Sequence, residues 1–129
     1  MSVTLVIAFE SSFMLAHSAN ASALFFEKTA VRTNSETTCL SFASDVARNQ
    51  NFKNVHKSHN EVAGEKDGAY VAITCVGRGQ QPTIAIVMSV SDSFDTAKKV
   101  DHSVADRMKA LMTDSVCQVK YRSGHLNML

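Results

Sequence analysis

Residues Glu61–Val90 read EVAGEKDGAYVAITCVGRGQQPTIAIVMSV, and the reading of this stretch decides the fold. Two apolar runs, Ala69–Val76 and Thr83–Ser91, are rich in Val, Ile and Thr and bounded by turn residues, as buried strands are. Successive side chains of a strand point to opposite faces. One face of the first run carries Ala69, Val71, Ile73 and Cys75. Taking Ile84, Ile86, Met88 and Val90 as the matching row of the second run lets both rows line one core. The pair then forms a central antiparallel hairpin, closed by a loop over Gly77–Pro82. Lys66-Asp67-Gly68 is a second turn, because Asp-Gly favours the primed hairpin turns that match strand twist. It folds Val62–Glu65 back onto the first run.

Working outward, Leu24–Thr33 (LFFEKTAVRT) reads as a strand. Thr33-Asn34-Ser35-Glu36 matches a T-x-x-E capping box at a helix start. The helix it opens runs from Ser35 to Asn49, with Cys39, Leu40, Phe42, Ala43 and Val46 on one side at helical spacing. The polar stretch Asn54–Glu65 reads as an exposed or edge strand, where charge discourages pairing with other chains. Asp92 or Ser93 caps a second helix over Ser93–Met112. Its buried stripe is Ala97, Val100, Val104, Met108 and Leu111. Lys98, Lys99, Asp101, His102, Asp106 and Lys109 form its solvent face. Val116–Arg122 alternates weakly and is a candidate last strand, and residues 123–129 read as a tail. The order β-α-β-β-β-α defines an α+β, two-layer sandwich: an antiparallel sheet of about four strands with two helices on one face.

The chain is 129 residues long with a formal net charge of +1, one domain by the usual prior. A charge so near zero argues against binding nucleic acid by neutralising phosphates. No Trp is present, and no stretch is long and apolar enough to span a bilayer. Residues 1–23 allow two readings. The apolar stretch Val3–Phe9 and the overlapping A-x-A patterns of Ala19–Ala23 resemble a signal peptide, which implies a periplasmic or secreted domain over residues 24–122. Against this, no Lys or Arg follows Met1 and Glu10 interrupts the apolar core, so a first strand or helix is the other reading.

Cys39 and Cys75 fall on the core sides of helix and strand, as two buried thiols or as a helix-to-sheet disulfide in an oxidising compartment. Cys117 is left over, and no C-x-x-C motif occurs. His59 and Glu61 share a strand face and are weak candidates for a metal site that would need further ligands. Gly77-Arg78-Gly79 leads into a strand rather than a helix N-terminus, so the glycines are turn residues and not a phosphate cradle. His102 and Asp106 read as a surface pair on a helix. No motif fixes a chemistry, and no cofactor is expected.

The opposite face of the hairpin is more apolar than a solvated face usually is. Tyr70, Ala72, Val76, Ala85 and Val87 are the expected interface, of a kind soluble monomers rarely leave exposed. The leading expectation is a non-enzymatic binding domain, paired as a homodimer through this face or covered by another protein. A small enzyme or small-molecule binder with a pocket between helices and sheet is the second, and a metal-binding protein the third.

Overall fold

The computed structural model describes residues 22–111. The elements are β1 (Ala23–Ala30), α1 (Glu36–Asn49), β2 (Lys53–Lys57), β3 (Glu61–Lys66), β4 (Ala69–Arg78), β5 (Gln81–Ser91) and α2 (Phe94–Ala110). The polar stretch expected as one edge strand is two, β2 and β3, so the sheet has five strands in the order β1-β5-β4-β3-β2. Every neighbouring pair is antiparallel. Helix α1 carries the chain from one edge of the sheet to the other. Three hairpins then walk back until β5 lies beside β1. Helix α1 packs over β3 and β4, and α2 over β1 and β5, which gives an α+β two-layer sandwich. The N-terminal segment 1–21 and the candidate strand Val116–Arg122 lie outside the described residues.

Local sequence explains most element ends. The β3–β4 turn is two residues, Asp67 and Gly68, both with positive φ as a primed turn requires. Helix α2 starts at Ser93, whose Oγ accepts from Thr96 N–H. Helix α1 departs from the expected box. Its N-cap is Ser35, which accepts from Thr38 N–H, while Thr33 Oγ1 accepts from Ser35 N–H. Glu36 is then the first helical residue and cannot reach back to cap. Its carboxylate instead accepts from Gly77 N–H on β4 at 3.1 Å, and a Cβ on Gly77 would press against that oxygen. Edge strand β2 is exposed along its whole length, holds Lys53 and Lys57, and is interrupted by a bulge at Asn54, where φ is 52°. Such features keep an edge from pairing with other chains.

The two rows of β5 are exchanged relative to the sequence expectation. Its core row is Thr83, Ala85, Val87, Ser89 and Ser91; Ile84, Ile86, Met88 and Val90 face the other way. The cause is a bulge beside the β4–β5 turn. Arg78 pairs with Gln81, but the next pair is Val76 with Ile84, so β5 contributes one extra residue. Pro82, which has no N–H to give a ladder, lies in that step. One residue of register moves every side chain to the opposite face. Ile73 therefore stands opposite Val87, not Ile86.

The core between helices and sheet contains Val31, Phe42, Val46, Val62, Val71, Ile73, Val104 and Met108. Cys39 on α1 and Cys75 on β4 form a disulfide inside it, with Cα atoms 6.1 Å apart. Ile73 is 0 % exposed, whereas Ile86 is half-buried on the other face. Ile73→Ala should cost about 3 kcal/mol through lost burial and an unfilled cavity. Ile86→Ala should cost about 1 kcal/mol. Urea unfolding of the two variants checks this, and equal losses would mean that the register is wrong.

Candidate binding surface

Strand pairing lays out the sheet face turned away from the helices as four cross-strand rows. One row is Ala30, Ile84 and Val76; the next is Lys28, Ile86, Thr74 and Glu61. Then come Phe26, Met88, Ala72 and Ala63, and finally Leu24, Val90, Tyr70 and Glu65. The β1, β5 and β4 portion is apolar apart from Lys28 and Thr74. Phe26 is 60 % exposed, Leu24 54 %, Tyr70 46 %, Val76 41 % and Met88 38 %. The β3 edge is acidic, with Glu61 and Glu65.

Of the expected interface residues, Tyr70 and Val76 are exposed on this face. Ala72 lies on it but is buried at 8 % exposure. Ala85 and Val87 do not belong to it. The bulge turns both toward the helices, where they are 0 % exposed. Their places are taken by Ile84, Ile86, Met88 and Val90. The alternation of β1 could have supplied Leu24 and Phe26, once β1 was placed beside β5. The sequence alone did not give that neighbour.

The expected metal candidates, His59 and Glu61, do not share a strand. His59 sits in the β2–β3 turn, and Glu61 opens β3 with its carboxylate accepting from Thr74 Oγ1 at 3.1 Å. Among the described residues no group of three or more His, Cys, Asp or Glu is placed to hold a metal ion. No described helix is long and apolar enough to cross a membrane.

A polar cluster lies on the helix side of the sheet. Asp101, expected on the solvent face of α2, is 0 % exposed and faces the sheet. Its neighbours are Glu27 on β1 and Ser89 on β5. Neither carboxyl oxygen makes a hydrogen bond of normal geometry among the described residues, and the Ser89 hydroxyl is also unpaired. Burial and then the adjacent Glu27 push the Asp101 pKa up to about 8, so at neutral pH it is mainly the acid, whose O–H can turn toward Glu27. Glu27 in turn accepts from His102 Nδ1–H at 2.7 Å. A carboxylate only accepts, so the proton of this contact is assigned to Nδ1. His102 thus partners Glu27 across the helix–sheet seam and not Asp106. Its ring and that of Phe25 pack in a T-shaped arrangement with centroids 5.2 Å apart. The contact that joins α2 to β1 here is the one between His102 and Glu27, with Asp101 enclosed beside it.

A half-open groove of about 720 Å³ lies at the β3–β4 turn, lined by Gln50, Asn51, Lys53, Glu65, Lys66 and Asp67 among others. Charges of both signs ring it, so it selects no single ligand charge.

Comparison with family models, with curated proteins and with solved structures returns no match.

Proposed function

We propose that this chain is a non-enzymatic binding domain that works as a homodimer, with the apolar back of its sheet as the contact surface. The observation that carries this reading is the contiguous set Leu24, Phe26, Tyr70, Val76 and Met88, all exposed on one face. Water-exposed apolar area of this kind is stabilised by being covered. A second copy is the simplest cover, because a twofold contact needs only one self-complementary patch. The Cys39–Cys75 disulfide supports an oxidising setting, in keeping with a periplasmic or secreted domain.

Met88 is near the middle of the face, flanked by Phe26 and Ala72. Met88→Lys puts a charge where sheet would meet sheet, desolvated and without a partner. The expected result by light scattering is twice the chain mass for the parent and the single chain mass for the variant, which should still unfold in one cooperative urea transition, at a midpoint lowered by the lost association. A parent that stays monomeric at high concentration defeats the proposal. The cover is then residues 1–21 of the same chain or another protein.

A further inference from the structure

This inference rests on the pairing just proposed and concerns its geometry. We propose that two copies stack their sheets back to back about a twofold axis that runs parallel to the strands between β4 and β5, so that Lys28 of each copy meets Glu61 of the other.

The argument starts from charge. Lys28 is the one cation within the apolar portion of the face, exposed on β1, and no carboxylate among the described residues lies within ion-pair distance of it. Glu61 is half-buried on the same face and uses one carboxylate oxygen on Thr74, which leaves the other free. The two residues stand in the same cross-strand row, Lys28–Ile86–Thr74–Glu61, at its two ends. Burying either charge unpaired in a sheet-to-sheet contact is unfavourable.

Only some ways of stacking two such faces pair them. A twofold axis lying between the sheets and across the strands puts β1 over β1 and exchanges rows. Lys28 then faces an apolar row or, at most, another Lys28. An axis along the strands keeps each row over itself and reverses the strand order. Placed over β5, it sets Lys28 above Thr74. Placed between β5 and β4, it sets β1 above β3 and Lys28 above Glu61, twice by symmetry. The same axis centres the contact on the columns of Ile84, Ile86, Met88 and Val90 and of Tyr70, Ala72 and Val76.

The distances allow it. Strands about 4.8 Å apart place Lys28 roughly 7 Å from the axis. Stacked sheets cross at about 30°, which displaces it from its partner row by only about 4 Å. A gap of about 10 Å between sheets is spanned by a lysine and a glutamate side chain together.

The experiment uses charge reversal in the full-length chain. Lys28→Glu and Glu61→Lys are each expected to raise the dimer Kd at least about tenfold, since each sets like charges together twice. An equimolar mixture of the two single variants should form a heterodimer near parental affinity, because both contacts are then opposite in sign. The double variant K28E/E61K should likewise recover. Light scattering reads the mass, and native mass spectrometry of the mixture identifies the heterodimer. If the singles dimerise as the parent does, or the mixture gives no heterodimer, while Met88→Lys still separates the parent, this axis is wrong and the pairing stands. If the parent itself is monomeric, both the axis and the pairing fall.

Discussion

The stability of this domain is expected to fall as pH rises from about 4 to about 8, and to level off above that. Asp101 sits fully buried between α2 and the sheet, beside Glu27. Its pKa is raised from 3.8 to about 8. The folded state therefore holds a proton that the unfolded chain has released throughout this window. Stability declines with pH wherever the native state binds more protons than the unfolded one. Below about pH 4 both states are protonated and this contribution is fully present; above about pH 8 both are ionised and it is gone. At about 1.4 kcal/mol per unit, the whole effect is roughly 6 kcal/mol as a ceiling, since α2 can shift slightly and admit water to the ionised group. Asp101→Asn keeps the shape of the protonated acid and removes the titration. Urea midpoints at pH 5, 6.5 and 8 should fall for the parent and stay level for the variant, so that the variant is the more stable at pH 8. A parent curve that is flat over this range, or the same slope in both proteins, would contradict the burial of Asp101 as an acid.

Loss of the disulfide is the other large effect. Cys39 and Cys75 are 36 residues apart in sequence. Cross-linking them removes loop-closure entropy from the unfolded chain, which is worth about 4 kcal/mol in the chain-entropy model. The double replacement Cys39→Ala with Cys75→Ala avoids leaving one buried thiol unpaired, and its urea midpoint should fall accordingly. Reduction of the parent should produce a loss of the same size. Both sulfurs are in the core, at 0 % and 1 % exposure, so reduction should be slow until the domain opens. Thiol counting of the oxidised protein in denaturant should find one reactive group, Cys117. Three reactive thiols, or a loss well under 1 kcal/mol in the double variant, would remove the disulfide from the account.

Much of the architecture is set by local patterns that a sequence displays openly. Asp67-Gly68 can take the positive φ values of a primed turn, so the β3–β4 hairpin was legible. Ser93, followed by apolar residues at helical spacing, marked the start of α2 and most of its buried stripe. Cys39 and Cys75 fell on facing core positions by the periods of helix and strand alone, which made their bond one of two readings. Of the polar stretch Asn54–Glu65, only the part in β2 is sheet edge as its charge suggests; the part in β3 lies between β2 and β4 with Val62 and Ala63 buried.

Tertiary structure decided what those periods leave open. Both rows of β5 are apolar, so alternation shows that it is a strand without showing which row is inside. The larger residues, Ile84, Ile86 and Met88, invite burial, yet the row beneath α2 is Ala85, Val87 and Ser89. An unbulged register would have set Ile86 opposite Ile73; the extra residue at Pro82–Thr83 sets Val87 there instead. That single step moved Ala85 and Val87 from the expected interface into the core, and brought Met88 out to join Phe26. Asp101 was assigned to solvent for a similar reason. Its charge speaks for exposure, and only burial between α2 and the sheet, with Glu27 brought beside it from β1, makes a protonated carboxyl the stable form. Sequence periodicity fixes which side chains share a face. Which face is covered depends on register and on non-local neighbours, because the free energy of burial belongs to the packed assembly and not to the segment.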